Sequence, residues 1–180
     1  MLKNGNPMFG YQFNGYWKDV GTVESLWKAN MDLLDEDSLH LADHDWPILS
    51  KSALQCPHFV AGHAKLVNSL ITEGCYIDGI VKHSIVSDGV TIEAGAEVYD
   101  SVILSGAKIC KGARVYRSII GENSVVGANA VIGADDGLDS YKSKYCSGGV
   151  SLVGTGVKVA DGVKLIAESM VESDIEEAKL

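Results

Sequence analysis

Three groups of side chains in this sequence are of types that do chemistry. The first lies in the run GYWKDVGT, Gly15 to Thr22, where the carboxylate of Asp19 follows two aromatics and a lysine. A carboxylate is a hard oxygen donor, the kind that holds magnesium together with substrate phosphates. The second group is the histidines His40, His44, His58, His63 and His83. A zinc site needs about three such ligands converging on one point. The third is Cys56, Cys75, Cys110 and Cys146, which contain no C-x-x-C pair and read as free thiols in a reducing compartment. Trp17, Trp27 and Trp46 offer faces on which a nucleotide could stack, although Trp27 lies on an apolar helical stripe and reads as a packing residue.

Composition removes several classes of partner. The net charge is −9 over 180 residues, and the basic residues are scattered. Nucleic-acid backbones and anionic membranes both require clustered Lys and Arg. Hydrophobic residues make up 46% of the chain but aromatics only 7%. The core must therefore be built from Val, Ile, Leu and Ala, which favours strands. The N-terminal residues have no apolar stretch of signal-peptide length, and no apolar run is long enough to span a bilayer. A soluble, cytoplasmic protein is expected.

The elements that position these groups follow from a repeat. Val81–Glu97, Val98–Arg114 and Val115–Val131 are successive 17-residue blocks. Aliphatic residues open each sub-block: Val81, Val86 and Ile92, then Val98, Ile103 and Ile109, then Val115, Ile120 and Val126, and then Ile132. A second column holds Gly74, Gly89, Gly95, Gly106, Gly112, Asn123 and Asn129, types that tolerate a left-handed backbone and so mark corners. A third column is small: Ser84, Ala96, Ser101, Ala107, Ala113, Ser118, Ser124 and Ala130. Together they predict a three-sided parallel coil in which Val81, Val98, Val115 and Ile132 stack. Upstream, Leu66–Ile80 reads as a coil two residues short on its last side. Downstream, 134–149 reads as a loop thrown out from a corner, after which Val153, Val159, Leu165 and Val171 resume the period. The acidic tail from Glu172 is expected to cap the open end or fray.

Ahead of the repeat, residues 9–21 read as a strand and turn. Thr22 is expected to cap a helix whose apolar stripe is Val23, Leu26, Trp27, Met31 and Leu34, with Leu33 off it. One strand and one helix have no core of their own, so this head should pack on the side of the coil or on another body. Within the coil, His83, Tyr99 and Tyr116 are expected to form an outward column.

The run from Phe13 to Leu34, FNGYWKDVGTVESLWKANMDLL, closely resembles the end of the catalytic domain of the glucose-1-phosphate adenylyltransferase (ADP-glucose pyrophosphorylase) family. DHDWPI and the entry VNSLITEGCYIDG resemble the second domain of the same family. The resemblance implies a mainly β fold, a left-handed parallel β-helix of hexapeptide repeats preceded by a short strand-helix remnant of an α/β nucleotidyltransferase domain. It implies that residues 1–46 end a catalytic domain and its linker helix, 47–65 are a linker, and 66–180 form the β-helix with its excursion at 134–149.

The family makes ADP-glucose and pyrophosphate from ATP and glucose 1-phosphate for glycogen synthesis, and holds magnesium between two aspartates. The match makes Asp19 one of those metal ligands. Nothing before residue 13 resembles the family's glycine-rich phosphate loop, first metal aspartate or sugar-phosphate lysine. The chain thus reads as the C-terminal regulatory and oligomerising part, with no catalytic residue acting alone, no cofactor-binding residue, and Mg2+ only in the intact enzyme. The implied partners are further copies of the chain in a dimer or tetramer, the N-terminal catalytic domain or other subunits, and a sugar-phosphate or nucleotide effector, for which Lys142, Lys144 and Tyr145 of the loop are candidates. The competing reading is a hexapeptide-repeat acyltransferase or γ-type carbonic anhydrase.

Overall fold

The computed structural model describes residues 7–35, 41, 44–49 and 54–176. From Phe59 onward the chain winds into a coil with three sides, each a parallel sheet of six strands contributed by successive turns. Side A begins at Phe59–Val60, side B at Lys65–Val67 and side C at Leu70–Ile71. Strands this short have no independent stability. Stacking supplies it, because each turn buries its inward residues only against the turns above and below.

The register is the one the repeat predicts. On side B, Val81 pairs with Val98, Val98 with Val115, and Val115 with Ile132. Val86, Ile103, Ile120 and Val153 stack on side C, and Ile77, Ile92, Ile109, Val126 and Val159 on side A. None of these side chains is more than 2% exposed. Each contributes about 1.5–3 kcal/mol by leaving water.

All seven expected corner residues have a left-handed backbone, with φ from +53° at Asn123 to +74° at Gly74. They mark only two of the three corners. The corner between sides B and C is turned by Asn68, His83, Asp100, Arg117 and Glu168, with φ between +40° and +64°. Hydrogen bonding holds these non-glycine residues there. At each of three successive corners a buried serine follows and bonds onward. The hydroxyls of Ser84, Ser101 and Ser118 donate to the carbonyls of Lys82, Tyr99 and Tyr116. Ser84 and Ser101 also accept the next turn's N–H, from Ser101 and Ser118, at 3.1 Å. The small column is thus more than clearance for the aliphatics.

The coil starts before the repeat is visible in the sequence, since Phe59–Val60 already pairs with Tyr76–Ile77 inside the expected 47–65 linker. The shortened coil is present: Leu66 pairs with Val81, whereas Val81 pairs with Val98. The excursion leaves after the side B strand Val131–Ala134 and rejoins side C at Ser151–Val153. It is folded back, with Cys146 and Val150 buried and Leu138 and Tyr141 against the core. Near the far end Ile175 bridges to Val159 and is buried, so the tail caps that end at least to Ile175. Residues 177–180 lie outside the described residues, as does most of the acidic stretch after Asp35.

The head differs from its expected form in two ways. Among the described residues, 7–21 contain no strand. A strand needs a neighbouring edge, and no described edge lies beside this segment. The helix α1 (Val23–Met31) forms as expected, with Thr22 as N-cap in a reciprocal capping box with Ser25. A short 3₁₀ turn, Asp32–Leu34, follows it. Trp27, Met31 and Leu34 are buried against the outer face of side C, on Ile85, Val102 and Ile119, with Val150 of the excursion. Leu26 is 43% exposed, off the buried stripe, while Leu33 packs into it. The tighter 3₁₀ turn advances 120° per residue, which rotates Leu33 inward.

Candidate functional site: the junction of head and coil

Residues Gly15 to Thr22 lead directly into α1. Thr22 fixes the helix start, so the residues just before it are tied to the helix axis. The hydroxyl of Tyr16 donates to Oδ2 of Asp32 at 2.8 Å, and the Lys18 ammonium bonds the same oxygen. Partial burial pushes the Asp32 carboxyl up, but the hydrogen bonds from Lys18 and Tyr16 outweigh it and hold the group below its ordinary value. The bond to Asp32 raises the Tyr16 hydroxyl in turn. Asp19 stands apart from this pair. It is exposed, and its Oδ1 accepts the N–H of Gly21 at 3.1 Å. Its oxygens are suitable magnesium donors by type, as one member of a larger set. Among the described residues no three His, Cys, Asp or Glu side chains come together to complete such a set. Trp17 and Trp46 are 77% and 83% exposed, whereas Trp27 is buried as a packing anchor.

Among the described residues the histidines do not converge. Lys82, not His83, stands in register with Tyr99 and Tyr116. The column expected from the sequence is therefore corrected by one residue: Tyr99 and Tyr116 stack at 5.4 Å, with the Lys82 ammonium over Tyr99. The reason is the count from the inward residue, since Lys82 follows Val81 as Tyr99 follows Val98. His83 sits at the left-handed corner, with Nδ1 2.7 Å from Oδ1 of Asp100. His63 Nε2 lies 2.6 Å from Oδ1 of Asp78. His44 and His58 are exposed, and His40 lies outside the described residues. The four cysteines are free, and burial raises the thiols of Cys75, Cys110 and Cys146, which lowers their thiolate fraction.

Trp27 is the centre of the junction. Its ring is 7% exposed, and its indole N–H donates to the Asp100 carbonyl at 2.6 Å. The Arg117 guanidinium lies over the ring, 4.3 Å from its centroid. Arg117 Nε donates to the carbonyl of Gly148 in the excursion at 2.5 Å. Glu24, one turn before Lys28 on α1, accepts from Lys28 Nζ and from the Ser147 hydroxyl, each at 2.6 Å. Those bonds, Lys28 first and then Ser147, hold the Glu24 carboxyl below its ordinary value. Arg117 has no signal in the sequence: its importance depends on an aromatic ninety residues away.

The loop lysines are not free cations. Lys142 pairs with Glu168 at 3.6 Å, and Lys144 lies over the ring of Tyr145. Basic groups face a cleft of about 520 Å³ instead, on the outer face of side B at the base of the excursion. Arg114, Tyr116 and Lys164 line it together with Asp135 and Asp136, and Lys164 lies 3.7 Å from Asp136. No described helix is long and apolar enough to cross a membrane.

The coil and the head each match a known family model. The model described as GlmU-like, C-terminal hexapeptide matches residues 58–153, just over half of the chain. This chain belongs to that hexapeptide family. A second model, described as nucleotidyl transferase, matches residues 1–36, which include GYWKDVGT and all of the docked helix. Proteins named glucose-1-phosphate adenylyltransferase from Bacillus thuringiensis (strain Al Hakam) and Bacillus cereus (strain ZK / E33L) are each 56% identical over 110 residues. One from Bacillus mycoides (strain KBAB4) is 54% identical over the same length. In each case the match covers 61% of this chain and 29% of the relative. The chain therefore spans under a third of the length of the curated relatives it matches.

Proposed function

We propose that this chain is the C-terminal regulatory and oligomerising part of a glucose-1-phosphate adenylyltransferase, which joins ATP and glucose 1-phosphate into ADP-glucose and pyrophosphate for glycogen synthesis. The observation that carries the reading is the seating of Trp27 on side C, which makes the nucleotidyl transferase segment and the hexapeptide coil one packed unit. In this reading Asp19 is one of two carboxylates for Mg2+, whose chemistry is to neutralise charge on the transferring phosphates. The chain's own residues orient that carboxylate. Gly21 N–H binds one of its oxygens, Thr22 fixes the helix that follows, and Lys18 and Tyr16 anchor the approaching segment on Asp32.

Two-aspartate magnesium binding and a phosphate loop are needed together for this reaction, and the 180 residues carry no glycine-rich phosphate loop. The chain by itself is thus read as inactive. An ADP-glucose synthesis assay tests this, on the chain alone and mixed with a separately expressed nucleotidyl transferase domain. Turnover only in the mixture is expected, and robust turnover by the chain alone would overturn the reading. The proposed partners are that domain or other subunits and further copies of the chain, as a dimer or tetramer measurable by light scattering. A cytoplasmic location accords with the free thiols. For a sugar-phosphate or nucleotide effector the side B cleft offers Tyr116 and Arg114, with Lys164 available to an anion only in exchange for its pairing with Asp136. A hexapeptide acyltransferase or γ-type carbonic anhydrase remains the competing reading. Stoichiometric zinc with carbon dioxide hydration would favour it, although His63 and His83 each pair with a single aspartate.

A further inference from the structure

We propose that Arg117 is a positioning residue that couples the excursion to the head, so that the 146–150 segment and α1 open and close as one cooperative unit. The inference is independent of any activity and goes beyond the proposed function. Three observations carry it. First, one side chain holds both partners. Arg117 places its guanidinium over the Trp27 ring and donates Nε to Gly148 O, so loss of either contact leaves the guanidinium with one anchor in place of two and weakens the other. Its backbone, left-handed at φ +41°, is fixed by the coil, with its own N–H on the Tyr99 carbonyl. The coil therefore aims the guanidinium, and the head and loop close on it.

Second, a separate bond joins head to loop directly, from the Ser147 hydroxyl to Glu24 Oε2 at 2.6 Å. The approach there is tight: a Cβ at Gly148 would come within 2.5 Å of Glu24 Oε1. Third, the loop adds Val150, fully buried, to the same apolar cluster as Trp27, Met31 and Leu34. A nine-residue helix is marginal alone, so its order depends on these contacts. Because coupling free energy is reciprocal, loosening the loop must loosen the helix, and loosening the helix must loosen the loop. Immediately before the Thr22 cap stands Gly21, whose N–H holds Asp19, so the state of the loop reaches the GYWKDVGT segment through α1.

Amide hydrogen exchange on the full chain tests this with four variants. Arg117→Asn removes the guanidinium while keeping a residue that tolerates the left-handed corner. Arg117→Lys keeps the charge without the planar fork. Ser147→Ala removes only the direct loop–head bond, and Trp27→Phe removes the indole bond without touching residue 148. In Arg117→Asn, exchange should rise about tenfold both in α1 and at Cys146, Gly149 and Val150. Strand amides of side A serve as a control and should be unchanged. Trp27→Phe should speed the same loop amides, Ser147→Ala should speed α1 by a smaller factor, and Arg117→Lys should not restore wild-type rates. The proposal is overturned if α1 keeps its wild-type rate in both Arg117→Asn and Ser147→Ala, or if the loop keeps its rate in Trp27→Phe. Should Arg117→Asn fold poorly, the Ser147→Ala and Trp27→Phe pair decides alone.

Discussion

The coil and the head of this molecule are built on opposite principles. In the coil, every inward side chain repeats a neighbour one turn away, and Val81, Val98, Val115 and Ile132 do the same task in succession. Loss of one contact leaves others of the same kind on both sides. In the head, nine helical residues dock through one apolar patch of Trp27, Met31 and Leu34, to which one guanidinium and one carboxylate add bonds that no neighbour repeats. Redundancy gives the coil a stability spread over many equal terms. Concentration makes the docking of the head the more sensitive of the two to a single substitution. A periodic scaffold thus carries one element held by a few contacts that nothing duplicates.

That contrast can be broken experimentally, beginning with the largest effect. Trp27→Ala should cost about 3–5 kcal/mol of docking by loss of burial, with the indole bond in addition. The expected outcome is undocking of α1 while the β-sheet circular dichroism still melts near the wild-type temperature. A matching loss of coil stability would erase the distinction. Ile109→Ala, in the middle of side A, should cost about 2–5 kcal/mol and lower the melting temperature of the coil itself. Its flanking turns keep their stacking, so the transition should remain a single one by calorimetry.

Ser101→Ala sharpens the account of the third corner. It leaves the Ser118 N–H without its acceptor, an unsatisfied buried donor that costs roughly 1–3 kcal/mol. Denaturant unfolding should show that loss, whereas Ala107, an alanine in the same small column but at another corner, carries no such bond. The smallest effect is one of pH. The Glu24 carboxyl is depressed by Lys28 and Ser147, with Arg117 nearby. A depressed carboxylate stabilises fully above its ordinary value of 4.5, and the contribution disappears as pH falls through the lower value of the docked state. The protection of α1 amides, taken relative to their intrinsic exchange rates at each pH, should fall over that acid window in the wild type, and Glu24→Gln should flatten the dependence.

How much of this was legible in the sequence follows the same division. The coil was readable because its physics is periodic: an aliphatic residue every five or six positions and a Gly or Asn at two of the corners fix the register without any knowledge of distant contacts. The third corner was not readable. His83, Asp100 and Arg117 have nothing in common as residue types, and what permits their left-handed backbone is a serine hydrogen-bond ladder that exists only once turns are stacked. The cap at Thr22 and the core position of Trp27 were local enough to read. Arg117, the shift of Leu33 into the buried cluster, and the absence of a strand in 7–21 were not, since each depends on what the head meets in space. Asp19 was recognised by its motif, and the fold leaves it exposed at the mouth of the docked helix.

The most direct measurement is amide exchange in the unmodified chain, comparing α1 with the coil. A free helix of nine residues in water would exchange almost unprotected. The account predicts strong protection at the C-terminal amides of α1, Lys28 to Met31, at a level below that of the side A strands around Ile109. Unprotected α1 amides beside a fully protected coil would mean that the head is not docked, and would contradict the account at its centre.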